Sequence, residues 1–276
     1  MLNNIKNISL IAALFVSSSA IASVTTNPVY KDFGNVSGPN TSSMNYGGVN
    51  VTAWSDTANV SGDGRGDNTI QSAQMYKYGN GWGIVNKDED DNDYPGHSAD
   101  NVGTGIWVDY DFFLFDFSEN VTLTHAGFSW IYGNTSNDQY GNTSNNQVSV
   151  AALNSGDLAG KTWAQVGSTS QTIASGYSDM LYSTRSGYYT SFGQSGTNNI
   201  GNVATASSRY WLIGALNASA FGGDTGWEGN DGMKLDRILF TRNTQLPATS
   251  VPEPSSIALF GLAIVGLFAS SRKKLK

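Results

Sequence analysis

Cysteine is absent from this chain of 276 residues, and histidine occurs at only two positions. The lack of cysteine excludes a disulfide framework, a thiolate nucleophile and a cysteine-ligated metal site. A histidine-based triad or a two-histidine metal site would have to use His97 or His125. The local pattern assigns His97 to a loop and His125 to the middle of a strand. We therefore expect His125 to be a packed or half-exposed strand residue and His97 to form loop hydrogen bonds.

Catalytic signatures are missing as well. The sequence contains no G-x-S-x-G nucleophile elbow, and its Gly-rich stretches do not have the spacing of a dinucleotide loop. A glycosidase needs two carboxylates roughly 5 to 10 Å apart, and no motif selects such a pair among the 22 acidic residues. The sequence therefore predicts a protein that is not an enzyme and requires no cofactor.

Charged residues make up only 13% of the chain, about half the share of an ordinary soluble protein. Five of the 15 basic residues lie in the two terminal segments, so the rest of the chain is more acidic than the net charge of −7 suggests. Binding phosphate groups requires clustered Lys and Arg. This composition excludes nucleic acid as a partner and favours divalent cations or neutral glycans.

The first 22 residues have the three parts of a secretory signal peptide. Lys6 is followed by an apolar run from Ile8 to Val16 and by small residues that end in Ala20-Ile21-Ala22. We expect this leader to be read by the Sec translocon and removed by signal peptidase. The mature chain would then be exported.

The C-terminal segment, residues 250–276, contains a short apolar run between a proline-rich start and a basic end. Residues 257–269 are all apolar or Gly; as a helix they would span roughly 20 Å, against a bilayer interior of about 30 Å. The cluster Arg272, Lys273 and Lys274 would hold its end in the cytoplasm. The segment predicts a short transmembrane helix that is either a permanent anchor or a removable tail.

The run Val251, Pro252, Glu253 and Pro254, the apolar helix and the basic cluster together resemble the PEP-CTERM sorting signal of Gram-negative bacteria that make exopolysaccharide. This resemblance implies that the partner is an exosortase, a membrane enzyme that cuts near the Pro-Glu-Pro. It also implies an intermediate in the inner membrane, followed by a cell-surface or extracellular-matrix location.

The body, residues 23–249, has the pattern of an all-β chain, because alternating and aromatic-rich runs recur between Gly, Asn and Asp clusters. The clearest runs are Ile106 to Phe117 and Val121 to Tyr132, which predict a hairpin around Ser118-Glu119-Asn120. Asp109 and Asp111 are expected to stay hydrated. We predict a single antiparallel β-sandwich or jelly roll. Further predicted strands are Val49–Trp54, Met75–Tyr78, Val148–Leu153, Tyr210–Leu216 and Met233–Thr241.

The body also resembles exosortase-dependent surface proteins through a series of short blocks. This group has no established catalytic residues that could be transferred to the present chain. The blocks are Pro95–Asn101, Phe113–Phe117, Gln147–Ala151, Tyr210–Ala215 and Gly229–Leu235.

Two features suggest ligands. Asp88, Asp90 and Asn92 offer alternating oxygen ligands for calcium, and the loop with Asp224 and Asp231 is a comparable candidate. The stretch lacks the EF-hand pattern, and a solvated run of charges is the simpler interpretation. Among the seven tryptophans, Trp82 and Trp227 are flanked by Gly in predicted loops and are candidates for stacking on sugar rings; the alternative is that they belong to the core.

Taken together, these features predict an exported, non-catalytic component of the cell surface or biofilm matrix that is processed by an exosortase and associated with exopolysaccharide. The alternative is a secreted carbohydrate-binding module or glycan hydrolase of the β-sandwich type.

Overall fold

The computed structural model describes residues 24–33, 40–56, 69–78, 81–86, 98–101, 109–132, 146–183, 185, 187–192, 202–223, 231–245 and 261–264. The chain divides into two compact units, one of residues Thr26–Asn243 and one that combines Met1–Thr25 with Thr244–Lys276. The domain boundaries predicted after residues 22 and 249 lie outside the described residues and stay predictions.

The larger unit consists mainly of strands, with three short helical turns between them. The all-β prediction is therefore confirmed. The strands are β1 Val24–Asp32, β2 Ser43–Tyr46, β3 Val49–Ser55, β4 Gln71–Tyr78, β5 Gly81–Val85, β6 Ala99–Asp100, β7 Asp111–Tyr132, β8 Gln147–Leu153, β9 Thr172–Asp179, β10 Leu181–Ser183, β11 Gly187–Ser191, β12 Ser208–Ala215 and β13 Gly232–Gln245; the helices are α1 Trp163–Val166, a 3-10 turn Val203–Thr205 and α2 Ala218–Phe221.

The strands form one hydrogen-bonded network in the order β1-β13-β5-β4-β3-β7-β12-β8-β9, and the registers described are antiparallel. Because β7 also pairs with β13, the strands β13, β5, β4, β3 and β7 close into a ring of five. On the far side of β7, the sheet continues through β12, β8 and β9. The short strands β10 and β11 join it through a pairing of β11 with β7.

The predicted hairpin at Ser118-Glu119-Asn120 is wrong, because β7 runs through these residues as one strand of 22 residues. The strand exchanges partners there. Pairing with β3 ends at Phe117, and pairing with β13 begins at Val121. The ladder to β12 is irregular at the same place, and the indole nitrogen of Trp211 donates to the carbonyl oxygens of Val121 (3.2 Å) and Ser208 (3.0 Å). These long-range hydrogen bonds hold Ser118-Glu119-Asn120 in an extended conformation, although the local sequence is typical of a turn.

Two apolar clusters lie on opposite faces of the first half of β7. Phe113, Phe115 and Phe117 belong to the larger cluster, whereas Phe112 and Leu114 belong to the smaller one beside α1 and α2. The predicted alternation of faces in this run is therefore confirmed.

The expected hydration of Asp111 is wrong, because only 1% of this residue is exposed. Its neighbour across the ladder is Ser55 of β3. The backbone N–H of Asp100 in β6 donates to its carboxylate at 3.4 Å. The carboxylate of Asp111 is therefore inside the protein and accepts a backbone hydrogen bond, whereas the sequence led us to expect contact with water.

The smaller unit is described only at residues 24, 25, 244, 245 and 261–264. Residues 261–264 form a helical turn in which Leu262 is exposed. The remainder of the predicted apolar helix, 257–269, lies outside the described residues. Among the residues that are described, no helix has both the length and the hydropathy needed to cross a bilayer.

Candidate functional site

Most of the residues that the sequence singled out lie outside the described part of the chain. Their predicted roles in sorting, calcium binding, glycan contact and loop hydrogen bonding therefore stay predictions. These residues are Val251, Pro252, Glu253, Pro254, Arg272, Lys273, Lys274, Asp88, Asp90, Asn92, Asp224, Trp227 and His97.

Trp82 is described, and the prediction that it contacts a glycan from a loop is wrong. It lies in β5, opposite Lys77 of β4 and Leu235 of β13, and its side chain is fully buried. The ring centroid is 5.3 Å from that of Phe33. The preceding Gly81 permits close packing, since a Cβ there would collide with Ser129. This glycine marks a close approach of two strands, whereas the sequence suggested a loop.

Asp231, the described member of the candidate calcium residues, is also fully buried. Its Oδ1 accepts a hydrogen bond from the backbone N–H of Gln147 at 2.8 Å, and its Oδ2 accepts one from the side-chain amide of Asn101 at 3.1 Å. Asn101 in turn accepts from the backbone N–H of Asp231 at 2.8 Å. Asp231 therefore ties the start of β13 to the start of β8 and to the residue after β6. Within the described ranges, no group of three or more His, Asp or Glu residues is placed to hold a metal ion.

A pocket of about 340 Å³ lies where β1, β7, β10, β11 and β13 contribute side chains to one surface. Its centre is a row across three strands, in which Gly127 of β7 pairs with Tyr189 of β11 on one side and with Arg237 of β13 on the other. His125 and Leu239, which pair with each other, form the next row. Ala126 and Ile238, between these rows, belong to the apolar core, so the pocket lies on the outer face of the sheet.

The rim of the pocket is formed by Tyr30 of β1 and Ser183 of β10. Tyr30 is 53% exposed, and its hydroxyl donates to Asp32 at 3.5 Å. At the floor, the missing side chain of Gly127 leaves space that the Arg237 side chain occupies, since a Cβ at residue 127 would overlap the Arg237 guanidinium. The pocket therefore combines aromatic walls with a flat cationic group against a bare backbone.

Burial shifts the pKa values of the titratable groups in and beside the pocket. Arg237 Nη1 donates to the carboxylate of Asp236 at 2.9 Å, and Asp236 lies at an irregularity of β13, so that the two consecutive residues form an ion pair. Burial raises the pKa of Asp236 to about 6, an effect that Arg237 opposes and Asp32 reinforces. Burial also lowers the pKa of His125, whose imidazole is therefore neutral at neutral pH. Its Nδ1 is buried without a hydrogen-bond partner in the described structure.

The sequence prediction for His125 as a packed or half-exposed strand residue agrees with its partly buried position in β7. The pocket itself was missed. Tyr189, Gly127 and Arg237 are far apart in the chain, and only the register of three strands brings them together.

Comparison with curated proteins and with solved structures gave no match. Comparison with protein families gave a match at the C-terminal end, to the PEP-CTERM protein-sorting motif, over residues 250–273. This match covers the Pro-Glu-Pro run, the apolar segment and the first basic residues, and it confirms the resemblance derived from the sequence. The chain thus carries the PEP-CTERM protein-sorting motif, which identifies it as an exported protein targeted to an exosortase.

Proposed function

We propose that this protein is a non-catalytic component of the cell surface or extracellular matrix, which an exosortase cleaves near Pro252-Glu253-Pro254 and which then associates with exopolysaccharide. The match of residues 250–273 to the sorting motif carries the proposal. The leader predicted at residues 1–22 supports the same route, because a sorting tail can act only on a chain that has entered the membrane.

The surface chemistry of the body supports an association with polysaccharide. Charged residues are scarce, and the chain has 32 Gly and a net charge of −7. Such a surface repels nucleic acids and anionic headgroups but leaves hydroxyl-rich polymers free to approach. We propose that the strands form the sandwich-like scaffold typical of such surface domains, with its ligand-binding surface on an outer sheet face.

The alternative function is a carbohydrate-binding module or glycan hydrolase. The pocket favours binding over hydrolysis, since the side chains that line it supply phenol, imidazole, guanidinium and hydroxyl groups. Hydrolysis of a glycosidic bond generally requires two opposed carboxylates. Incubation of the purified protein with soluble polysaccharides, followed by a reducing-end assay, distinguishes the two: we expect no new reducing ends.

The sorting proposal is tested by replacing Pro252, Glu253 and Pro254 with Ala in the producing cells. We expect the variant to accumulate in the inner membrane with its tail attached, whereas the wild type reaches the surface. Pro247→Ala is the matched control, because it removes a proline just before the matched segment. Normal surface delivery of the triple variant would contradict the proposal.

A further inference from the structure

We propose that the pocket formed around Tyr189, Gly127 and Arg237 binds a neutral sugar unit of a polysaccharide. This inference rests on the proposed association with exopolysaccharide and names the site and ligand class that would mediate it. Four features of the pocket support this ligand: its shape, its tyrosine side chains, its hydrogen-bonding groups and the balance of charge around it.

The shape of the pocket suits a small ring. Its volume of about 340 Å³ lies near the lower end of the range for small-molecule sites. Arg237 can lie flat against the sheet because residue 127 is Gly, since any side chain there would displace it. The opposite face of the same strands packs in the core through Ala126 and Ile238. A rigid sheet therefore holds the floor, so binding does not need to order a loop at that point.

Two tyrosines on different strands line the pocket. Tyr189 contributes from β11 and Tyr30 from β1, and both carry an apolar ring with a polar tip. The C–H faces of a pyranose ring are apolar and its edge carries hydroxyl groups. Tyrosine matches this division, because its ring covers apolar surface while its hydroxyl forms hydrogen bonds. The large exposed fraction of Tyr30, 53%, leaves its ring available to a ligand.

The polar groups of the pocket suit hydroxyl partners. The guanidinium of Arg237 is oriented by its bond to Asp236, and a guanidinium is a planar group of N–H donors. His125 lines the same pocket, and burial lowers the pKa of its imidazole, so it adds no positive charge at neutral pH.

The charges around the pocket favour a neutral sugar over a uronic acid. The positive charge of Arg237 is balanced by Asp236 at 2.9 Å, and Asp32 lies beside Tyr30 at the rim. A carboxylate ligand would meet these two acidic groups as well as the guanidinium. A neutral sugar ring can form hydrogen bonds with the charged groups of the Arg237–Asp236 pair and is not repelled by the carboxylates.

The test is affinity electrophoresis of the purified full chain through gels that contain a soluble neutral glucan, mannan or galactan, with alginate as the anionic comparison. We expect at least one neutral polymer to retard the wild type, and alginate to retard it less. Tyr189→Ala and Arg237→Gln should each weaken retention by about tenfold or more, the loss typical of a central contact. Tyr182→Ala is the matched control, because Tyr182 is another exposed tyrosine of the same strand pair that does not line the pocket.

Ser183→Trp provides a second variant, which would block the pocket from its rim without changing the core. It should abolish retention even if Arg237→Gln proves unstable. The proposal is overturned if none of the neutral polymers retards the wild type, if alginate binds more tightly than they do, or if the pocket variants behave like Tyr182→Ala.

Surface delivery and tail removal are scored separately in the same strains. Normal sorting without retention overturns the pocket alone, whereas retention without tail removal contradicts the sorting proposal alone.

Discussion

Two buried tryptophans offer a sharp test of how this fold is held together. Trp82 and Trp211 are both fully buried, but their indole N–H groups differ. The N–H of Trp211 donates to the backbone carbonyls of Val121 in β7 and Ser208 in β12, whereas the N–H of Trp82 has no acceptor within the described structure. Replacing each residue by Phe removes the same atoms from the core. The difference in stability between the two variants therefore reports the contribution of the Trp211 hydrogen bonds.

The expected magnitudes follow from these contacts. Loss of ring volume should cost about 1–2 kcal/mol in each variant. Trp211→Phe also leaves the Val121 and Ser208 carbonyls without this donor, which costs a further 1–3 kcal/mol or so. Trp82→Phe removes a buried N–H that has no acceptor, which offsets part of its loss. We expect Trp211→Phe to be less stable than Trp82→Phe by about 2 kcal/mol, or roughly 4–8 °C in Tm.

Urea denaturation followed by far-UV circular dichroism measures both free energies of unfolding without relying on tryptophan fluorescence. The slopes of the two transitions should agree with that of the wild type, so that the midpoints report stability alone. Equal losses in the two variants, or a larger loss for Trp82→Phe, would refute the claim that the Trp211 hydrogen bonds stabilise this part of β7.

Three further predictions concern the pocket and its neighbourhood. Gly127→Ala should destabilise the protein, because the added Cβ would collide with the Arg237 side chain, and should have little effect in an Arg237→Ala background. A double-mutant cycle in urea measures this coupling, and additive losses of stability would contradict the predicted collision. The folded-state pKa of Asp236, about 6, lies above the unfolded value, so its protonation stabilises the fold as pH falls from about 6 towards 4. Asp236→Asn should remove this part of the pH dependence of the unfolding free energy. An unchanged pH profile in the variant would exclude this role of Asp236. Asn217→Ala should cost about 1 kcal/mol by removing the cap that accepts from Ala220 N–H, and thermal unfolding should show Asn217→Ser to be milder.

The part of the fold that the sequence predicted well is the run from Phe112 to Phe117. Its side chains alternate between two apolar clusters, and a period of two is a local property that any reader of the chain can see. The continuation of the strand beyond Phe117 was not predictable. Ser118-Glu119-Asn120 has the composition of a turn, but Val121 finds partners in both β12 and β13, and these long-range hydrogen bonds keep the strand extended.

The candidate pocket shows the same limit. Composition favoured divalent cations or neutral glycans as ligands, and the glycines around Trp82 pointed to that residue as a glycan contact. Trp82 lies in the core instead, because Gly81 permits close packing against Ser129. The residues that line the pocket are ordinary strand residues, and no spacing within one segment marks them. Gly127 acquires its role only when the ladder places Arg237 beside it.

The central claim is that the C-terminal segment is a sorting signal that is removed, and the mass of the mature protein tests it most directly. Intact-mass and C-terminal peptide analysis of the protein recovered from the cell surface should find a chain that ends near Pro252-Glu253-Pro254, and cells without exosortase should retain the longer form. Surface-located protein that still ends at Lys276 would contradict the account.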